Sequence, residues 1–410
     1  MKHPCSHRKG IKLLLCIFGK LLLAILVGIM LIHFWFYATA PVYKFAEPQP
    51  FTGNSFYNPY ADIDSSQWKK GNFQVQSYAW LGLTNGRKNS NEAIYELYKQ
   101  LGYDIIVTSD YQSINTFGID SPAYIPTYEH GYGLNKYHQV CLGAKKVLWR
   151  DYPFFPSLSQ KQDIINRLQA NNDVIALAHP ALRDGINFTD MKYLSGYHLI
   201  EVLNNIRFSV QHWDTALSNG HLAYIIGNDD AHDISNPMEV GRACTFINTS
   251  KLDQQSILDA LKAGKAYGAD IYMGDNETFA QKAQKAKHIG YLKKLDVKND
   301  TLRIWLSDTA AEIRFYTKLG KLETILRDCK HGFYKILPQN PYVRTEVQLR
   351  DKTVLYLNPV FRYENAVHSN RSLAQLDEQA TLRWRLGWFG GFAVLCLLLL
   401  VIRVRYKKRK

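Results

Sequence analysis

Two apolar stretches frame the chain, and short apolar runs alternate with amphipathic ones between them. The first stretch runs from Leu21 to Phe36 and extends back toward Lys12; the second runs from Leu386 to Ile402. Each is near the minimum length for crossing a hydrocarbon layer of roughly 30 Å. Inside the frame, NFQVQSY (72–78) alternates with period two and predicts a strand, and SNEAIYELYKQLGY (90–103) puts Ala93, Leu97 and Leu101 at helical spacing. The continuous apolar runs YDIIVTSD (103–110), YHQVCLGA (137–144), DVIALAHP (173–180), HLIEVLN (198–204) and LAYIIGNDDAH (222–232) read as buried strands. KQDIINRLQANN (161–172), VQHWDTALSNG (210–220) and SILDALKAG (256–264) read as helices, the last two closed by Gly220 and Gly264. Strands alternating with helices of this length predict an α/β fold, a parallel sheet with helices outside.

From about residue 288 the pattern changes. LRIWLSD, EIRFYT, KLETILRD, HGFYKIL, YVRTEVQLR and TVLYLNPV are short alternating segments with turn residues between them, which predicts a small β-rich module. The expected organisation is a cytoplasmic tail and first transmembrane helix (1–38), a linker (39–70), an α/β domain (71–275) and the β module (285–362). A second linker (363–385), a second transmembrane helix (386–403) and a basic tail (404–410) follow.

Charge then fixes an expected topology. The net charge is +14, yet Lys2, Arg8, Lys9, Lys12 and Lys20 precede Leu21, and Arg403, Arg405, Lys407, Lys408, Arg409 and Lys410 follow Ile402. By the positive-inside rule both termini are expected in the cytoplasm and the main domain outside it, as in a bacterial inner-membrane protein. With Arg383 and Arg385 counted, the flanks account for nearly all of the excess, so the enclosed domain is close to neutral and nucleic-acid binding is not expected. The six cysteines imply no disulfide scaffold.

The candidate chemistry sits at the ends of the apolar runs. Glu129, His138, His179, Asp230 and His232 each follow or end one. In an α/β architecture the site lies at the C-terminal ends of the strands, so these acids and imidazoles are expected to converge. Arg183, Arg242 and Lys265 are candidate phosphate-binding cations, each weighed against a plain surface charge. Asp229 is expected to cap the following segment, and Asp110 to hold its neighbours by hydrogen bonds.

The ordered set FQVQS (73–77), TNG (84–86), TSDY (108–111), IPTYE (125–129), His138 in KYHQVCLG, AHP (178–180), IEVLN (200–204), GNDDAH (227–232), GRACT (241–245) and ALKAGKAY (260–267) resembles the PHP superfamily of polymerase and histidinol phosphatase domains. The layout is most similar to its metal-dependent phosphoesterase branch. The resemblance covers about half the chain, residues 70–270. It implies a distorted (β/α)7 barrel with up to three divalent metals and hydrolysis of phosphate esters. Where the family opens with His-x-His, this chain has Gln74 and Gln76; Asn85 replaces an acid or histidine, and Tyr111 replaces the histidine of an Asp-His pair. Two of the family's metal positions are thereby depleted. The third keeps Glu129, His138 and His179, with Asp230 the surviving acid of a neighbouring position.

The expectation is one divalent ion, Zn or Mn, rather than three, with Asp230 or His232 moving the proton and Arg183 receiving a phosphorylated small molecule. The alternative is a catalytically inactive PHP-like domain that serves as a binding or assembly module.

Overall fold

The computed structural model describes residues 5–84, 86, 89–364 and 373–409. The chain divides into two compact units. One comprises Met1–Lys44, Arg150–Tyr152 and Gln375–Lys410; the other comprises Phe45–Trp149 and Pro153–Ala374.

The first unit is built on two long helices, Cys5–Ala38 and Glu378–Lys408. Leu13–Ala38 (26 residues, mean hydropathy 2.7) and Glu378–Lys408 (31 residues, mean hydropathy 2.2) are long and apolar enough to cross a membrane. The second helix starts well before its apolar run because Asp377 caps it, accepting from the Ala380 N–H at 2.9 Å. The two helices meet through Phe34, whose ring lies 5.6 Å from that of Trp388 and 4.7 Å from that of Phe392. Tyr43–Lys44 pairs antiparallel with Gln375–Leu376. Arg150 donates to the Phe36 carbonyl at 2.6 Å and to Thr39 Oγ1 at 3.0 Å, which ties its segment to the end of the first helix.

In the second unit the expected closed barrel is absent: among the described residues no sheet closes on itself. The strands form two open sheets instead. A five-stranded sheet holds, in order, Thr127–His130, Gln139–Leu142, Val174–Leu177, Leu199–Asn204 and Tyr224–Asn228. It is mixed, since Gln139–Leu142 runs antiparallel to both neighbours while the last three strands are parallel. An eleven-stranded sheet joins Trp68–Asn72, Ile105–Ile106, Ala243–Asn248 and Ala266–Asp270 to the C-terminal strands. The join is a ladder from Tyr267↔Leu357 to Asp270↔Val354.

Side chains take the place of ladder bonds where a barrel would have closed. The Phe73 N–H donates to Asn228 Oδ1 at 2.7 Å, the Asp229 N–H to Asn72 Oδ1 at 2.9 Å, and the Gly227 N–H to Thr245 Oγ1 at 2.9 Å. These backbone groups of the seam are thus satisfied by side chains rather than by strand pairing. The predicted strand at 72–78 accordingly ends at Asn72, and beyond it Val75 makes an isolated bridge to Ala231.

The C-terminal segments form fewer and longer strands than their pattern implies. LRIWLSD and EIRFYT lie in one strand, Thr301–Thr317, and KLETILRD and most of HGFYKIL lie in its hairpin partner, Lys321–Lys335. A register shift between Trp305 and Ala310 breaks the period-two pattern without ending the strand. Buried Leu302, Ile304, Ile313 and Phe315 share one core with Val75, Tyr98 and Tyr267, so apolar packing is continuous with the sheet join.

His198, half-buried beside the five-stranded sheet, is a titratable group whose protonation is linked to folding. Its Nδ1 accepts the Ile175 N–H at 3.2 Å, so that nitrogen is unprotonated. Burial, then the charge of Lys262, pulls its pKa down to about 4 from an ordinary 6.5. The unfolded chain therefore binds the proton first, and stability falls as pH drops from 6.5 toward about 4. The loss is expected to reach about 3 kcal/mol. Denaturant unfolding of the full chain in detergent, compared with His198→Asn, checks this. Asparagine keeps an acceptor without the titration, so the two curves should part through that window and stay apart below it.

Candidate metal centre

The centre lies at one end of the strands of the five-stranded sheet. Glu129 sits in Thr127–His130, opposite Val140 of the next strand, and His138 immediately precedes that strand. The hairpin between them turns at Gly131 (φ +121°), where a Cβ would lie 2.6 Å from His138 Cδ2. His179 follows Val174–Leu177, and Asp230 follows Tyr224–Asn228. Both have left-handed backbones, with φ of 30° and 51°, a strained conformation for such residues that adjoining contacts must hold. The Asp230 N–H donates to the Gln74 carbonyl and the Gln76 N–H to the Ala231 carbonyl, both at 3.0 Å, which brings Gln74 and Gln76 to the same end.

Glu129, His138 and His179 offer ligand atoms that all lie within 4.8 Å of one another, and all three residues are buried. Glu129 Oε1 is 2.5 Å from His138 Nδ1 and 3.4 Å from His179 Nε2. Burial alone would raise the Glu129 pKa, but His138 and His179 outweigh it and hold the carboxyl below its usual range. Glu129 is thus ionised and His138 Nδ1 carries the shared proton. For His138 itself burial outweighs Glu129 and lowers its pKa. Burial would also lower that of His179, yet the Glu129 hydrogen bond and the charges of Asp230, Glu129 and Glu201 push it up to about 9.

Two amides flank the acids. Gln76 Nε2 donates to Glu129 Oε2 at 2.7 Å, and Gln74 Nε2 donates to Asp230 Oδ1 at 3.0 Å. Their own oxygens, Gln74 Oε1 and Gln76 Oε1, are buried without a hydrogen-bond partner. Such orphans cost about 1–3 kcal/mol each, a penalty that a nearby cation would relieve. Two imidazoles and one carboxylate also make up a known donor set for a divalent ion with an open position. The residues present therefore fit one ion.

The remaining predicted residues are placed as follows. Asp230 is buried, and its pKa is raised by burial and then by the charge of Glu129; Asn204 Nδ2 donates to its Oδ2 at 3.0 Å. His232 is half-buried, with Nδ1 2.8 Å from the Asp230 carbonyl. A carbonyl only accepts, so Nδ1 bears the proton and Nε2 has the free lone pair. The Tyr111 ring lies 5.6 Å from that of His138 and 6.4 Å from that of His232, and its hydroxyl is held protonated by burial. Asn85 lies outside the described residues. Arg183 is exposed in the turn Leu182–Asp184 beyond His179. Arg242 pairs with Asp270 at 2.9 Å, and Lys265 lines a separate cleft with Asp62 and Asp300.

Asp110 accepts from the Ser77 N–H at 2.8 Å, and Asp229 accepts from the N–H groups of Gly241, Arg242 and Ala243 at 2.7–3.0 Å. Both are occupied structurally.

Glu201 was not singled out from the sequence. It is fully buried, and burial followed by the charge of Asp230 pushes its pKa up to about 8. It accepts from the His179 N–H at 2.8 Å, Asn204 Nδ2 at 3.0 Å and Asn228 Nδ2 at 2.8 Å, so it fixes the backbone that carries His179. The available signal was a carboxylate and a carboxamide inside the apolar run LIEVLN, in which every residue is buried.

Comparison with family models and with curated proteins gives no match. Among solved structures the chain is similar to a two-domain protein from Bacteroides vulgatus described as containing a predicted PHP-like metal-dependent phosphoesterase. The identity is 13%, the TM-score 0.39, and the alignment covers 76% of this chain and 99% of that one. At that level nothing about function follows, and the chemistry of the site itself carries the reading.

Proposed function

We propose that this chain is a membrane-anchored, extracytoplasmic hydrolase of phosphate esters that works with one divalent ion, Zn or Mn, held by Glu129, His138 and His179. The observation that carries the reading is the convergence of these three buried ligands within 4.8 Å. The two apolar helices and their basic flanks support the anchoring and the topology. A bound ion of this class lowers the pKa of water and polarises a phosphoryl oxygen.

The protein's own groups supply the rest. Glu129 stays ionised, and Gln76 and His138 hold it in place. Asp230, with its raised pKa, and the free Nε2 of His232 are the groups that accept and return a proton. Arg183 is the cation assigned to the phosphate. With one ion there is no second metal to stabilise the leaving oxygen, so turnover is expected to be slow.

Metal analysis of the purified chain should find about one ion per chain, and aryl phosphate mono- or diesters should be hydrolysed slowly. Absence of a bound ion, together with an unchanged signal in His179→Ala, would sink the proposal. The second reading, an inactive binding module, is favoured by the amide donors on Glu129 and Asp230, which satisfy both acids without an ion. It expects neither ion nor hydrolysis.

A further inference from the structure

The rim of the candidate centre carries an exposed apolar patch. Trp80, Leu81, Leu83, Trp149, Phe154 and Phe155 are all exposed, Leu81 at 89% and Phe155 at 79%. Trp80, Leu81 and Phe155 also have left-handed backbones, with φ of 51°, 54° and 44°. Large side chains are thus held outward in a disfavoured conformation, a placement with no benefit in water.

The patch is one surface. The rings of Trp80 and Trp149 are 6.0 Å apart, Tyr132 donates to the Trp149 carbonyl at 3.0 Å, and the Leu134 N–H donates to the Pro153 carbonyl at 3.0 Å. It also reaches the centre. Trp80 Nε1 donates to the Tyr111 carbonyl at 2.7 Å, and the Tyr111 ring lies against His138. Tyr132 and Leu134 belong to the hairpin that joins Glu129 to His138.

We infer that this rim is a lipid-docking surface that seats in the headgroup region of the bilayer, so that compounds reaching the centre are membrane-held amphiphiles. The occupant follows from covalent continuity. Trp149 and Pro153 are bonded directly to Arg150 and Tyr152, and Arg150–Tyr152 belongs to the unit of the two apolar helices, where Arg150 binds the Phe36 carbonyl. Trp149, Phe154 and Phe155 are therefore only a few residues along the chain from that unit. Chemistry agrees: exposed Lys145 and Lys146 precede Trp149, and tryptophan beside lysine is the composition of a surface that meets phospholipid. The substrate half of this inference rests on the hydrolase reading; the docking half does not.

The test uses the full chain in nanodiscs of phosphatidylethanolamine and phosphatidylglycerol containing a phospholipid with a diazirine near its glycerol end. After illumination, adducts mapped by mass spectrometry are expected at Leu81, Leu83, Phe154 and Phe155 as well as in the two helices. They should be lost from the rim, and kept in the helices, in Leu81→Glu/Phe155→Glu, whose native side chains are exposed. Adducts confined to the helices overturn the inference. So does chain-to-chain crosslinking through the rim, which would make a second copy the occupant. No turnover is needed for the readout, so a failed hydrolase assay and a failed docking test are distinguishable.

Discussion

Glu129→Gln is expected to abolish ion retention and phosphate-ester hydrolysis while leaving a folded chain. Glutamine matches glutamate in shape and keeps one oxygen to accept from His138, so the buried pocket stays filled. What disappears is the negative charge that both imidazoles face. The new amide also meets the Gln76 amide with a donor where an acceptor stood, at a cost of about 1–3 kcal/mol. Partners that merely support a ligand are worth about 10–100-fold in metal affinity, so removing a ligand should exceed about 100-fold. Metal content by mass spectrometry is the first check. The second is melting with and without chelator: an ion that binds only the folded chain raises the midpoint, so chelation should lower it in the wild type and leave the variant unmoved. Equal ion content in both proteins would remove Glu129 from the site. Glu129→Ala is a poorer probe, because stranding two buried imidazoles confounds folding with binding.

Arg344→Met is expected to give the largest loss of stability, about 3–5 kcal/mol. Arg344 is 2% exposed on Tyr342–Leu349. It grips Asp214 of the helix Val210–Ser218 with Nε at 2.6 Å and Nη2 at 2.8 Å, and Glu346 with Nη1 at 2.5 Å. Its guanidinium also lies over the Tyr316 ring at 4.3 Å. The same helix holds the tip of the long hairpin, where Ser218 Oγ accepts from the Leu319 N–H at 2.7 Å. Removing the arginine leaves Asp214 buried without a cation, with the Tyr342 hydroxyl at 3.3 Å still donating to it, and also takes a cation from buried Glu346, which costs more than the pairs contributed when intact. The double variant Arg344→Met/Asp214→Leu should therefore recover much of the loss. Urea unfolding of the full chain in detergent measures both, and a double variant no better than the single one would refute the ion-pair account.

The candidate centre was more legible in the sequence than the fold around it. His179 follows a buried strand and leaves a local mark, an imidazole after an apolar run; Glu129 lies inside its strand and His138 precedes one, and the three meet. Barrel closure leaves no such mark. It depends on whether two edges pair through backbone groups, and here Asn72, Asn228 and Thr245 satisfy those groups with side chains. The direction of Gln139–Leu142 was equally hidden, since an apolar run reads the same in parallel and antiparallel sheets. Glu201 is not legible in the same way, because a single acid in an apolar run looks like a strand with one polar position.

The amide pair has a consequence for how the molecule is held together. Gln74 and Gln76 leave the eleven-stranded sheet, whereas Glu129 and Asp230 belong to the five-stranded one. The bonds from Gln76 to Glu129 and from Gln74 to Asp230 are therefore a clasp at the centre, added to the Asn72, Asn228 and Thr245 contacts that already join the two halves. The halves cannot part at that end without unfastening the centre, and the centre cannot be rearranged without slackening the clasp.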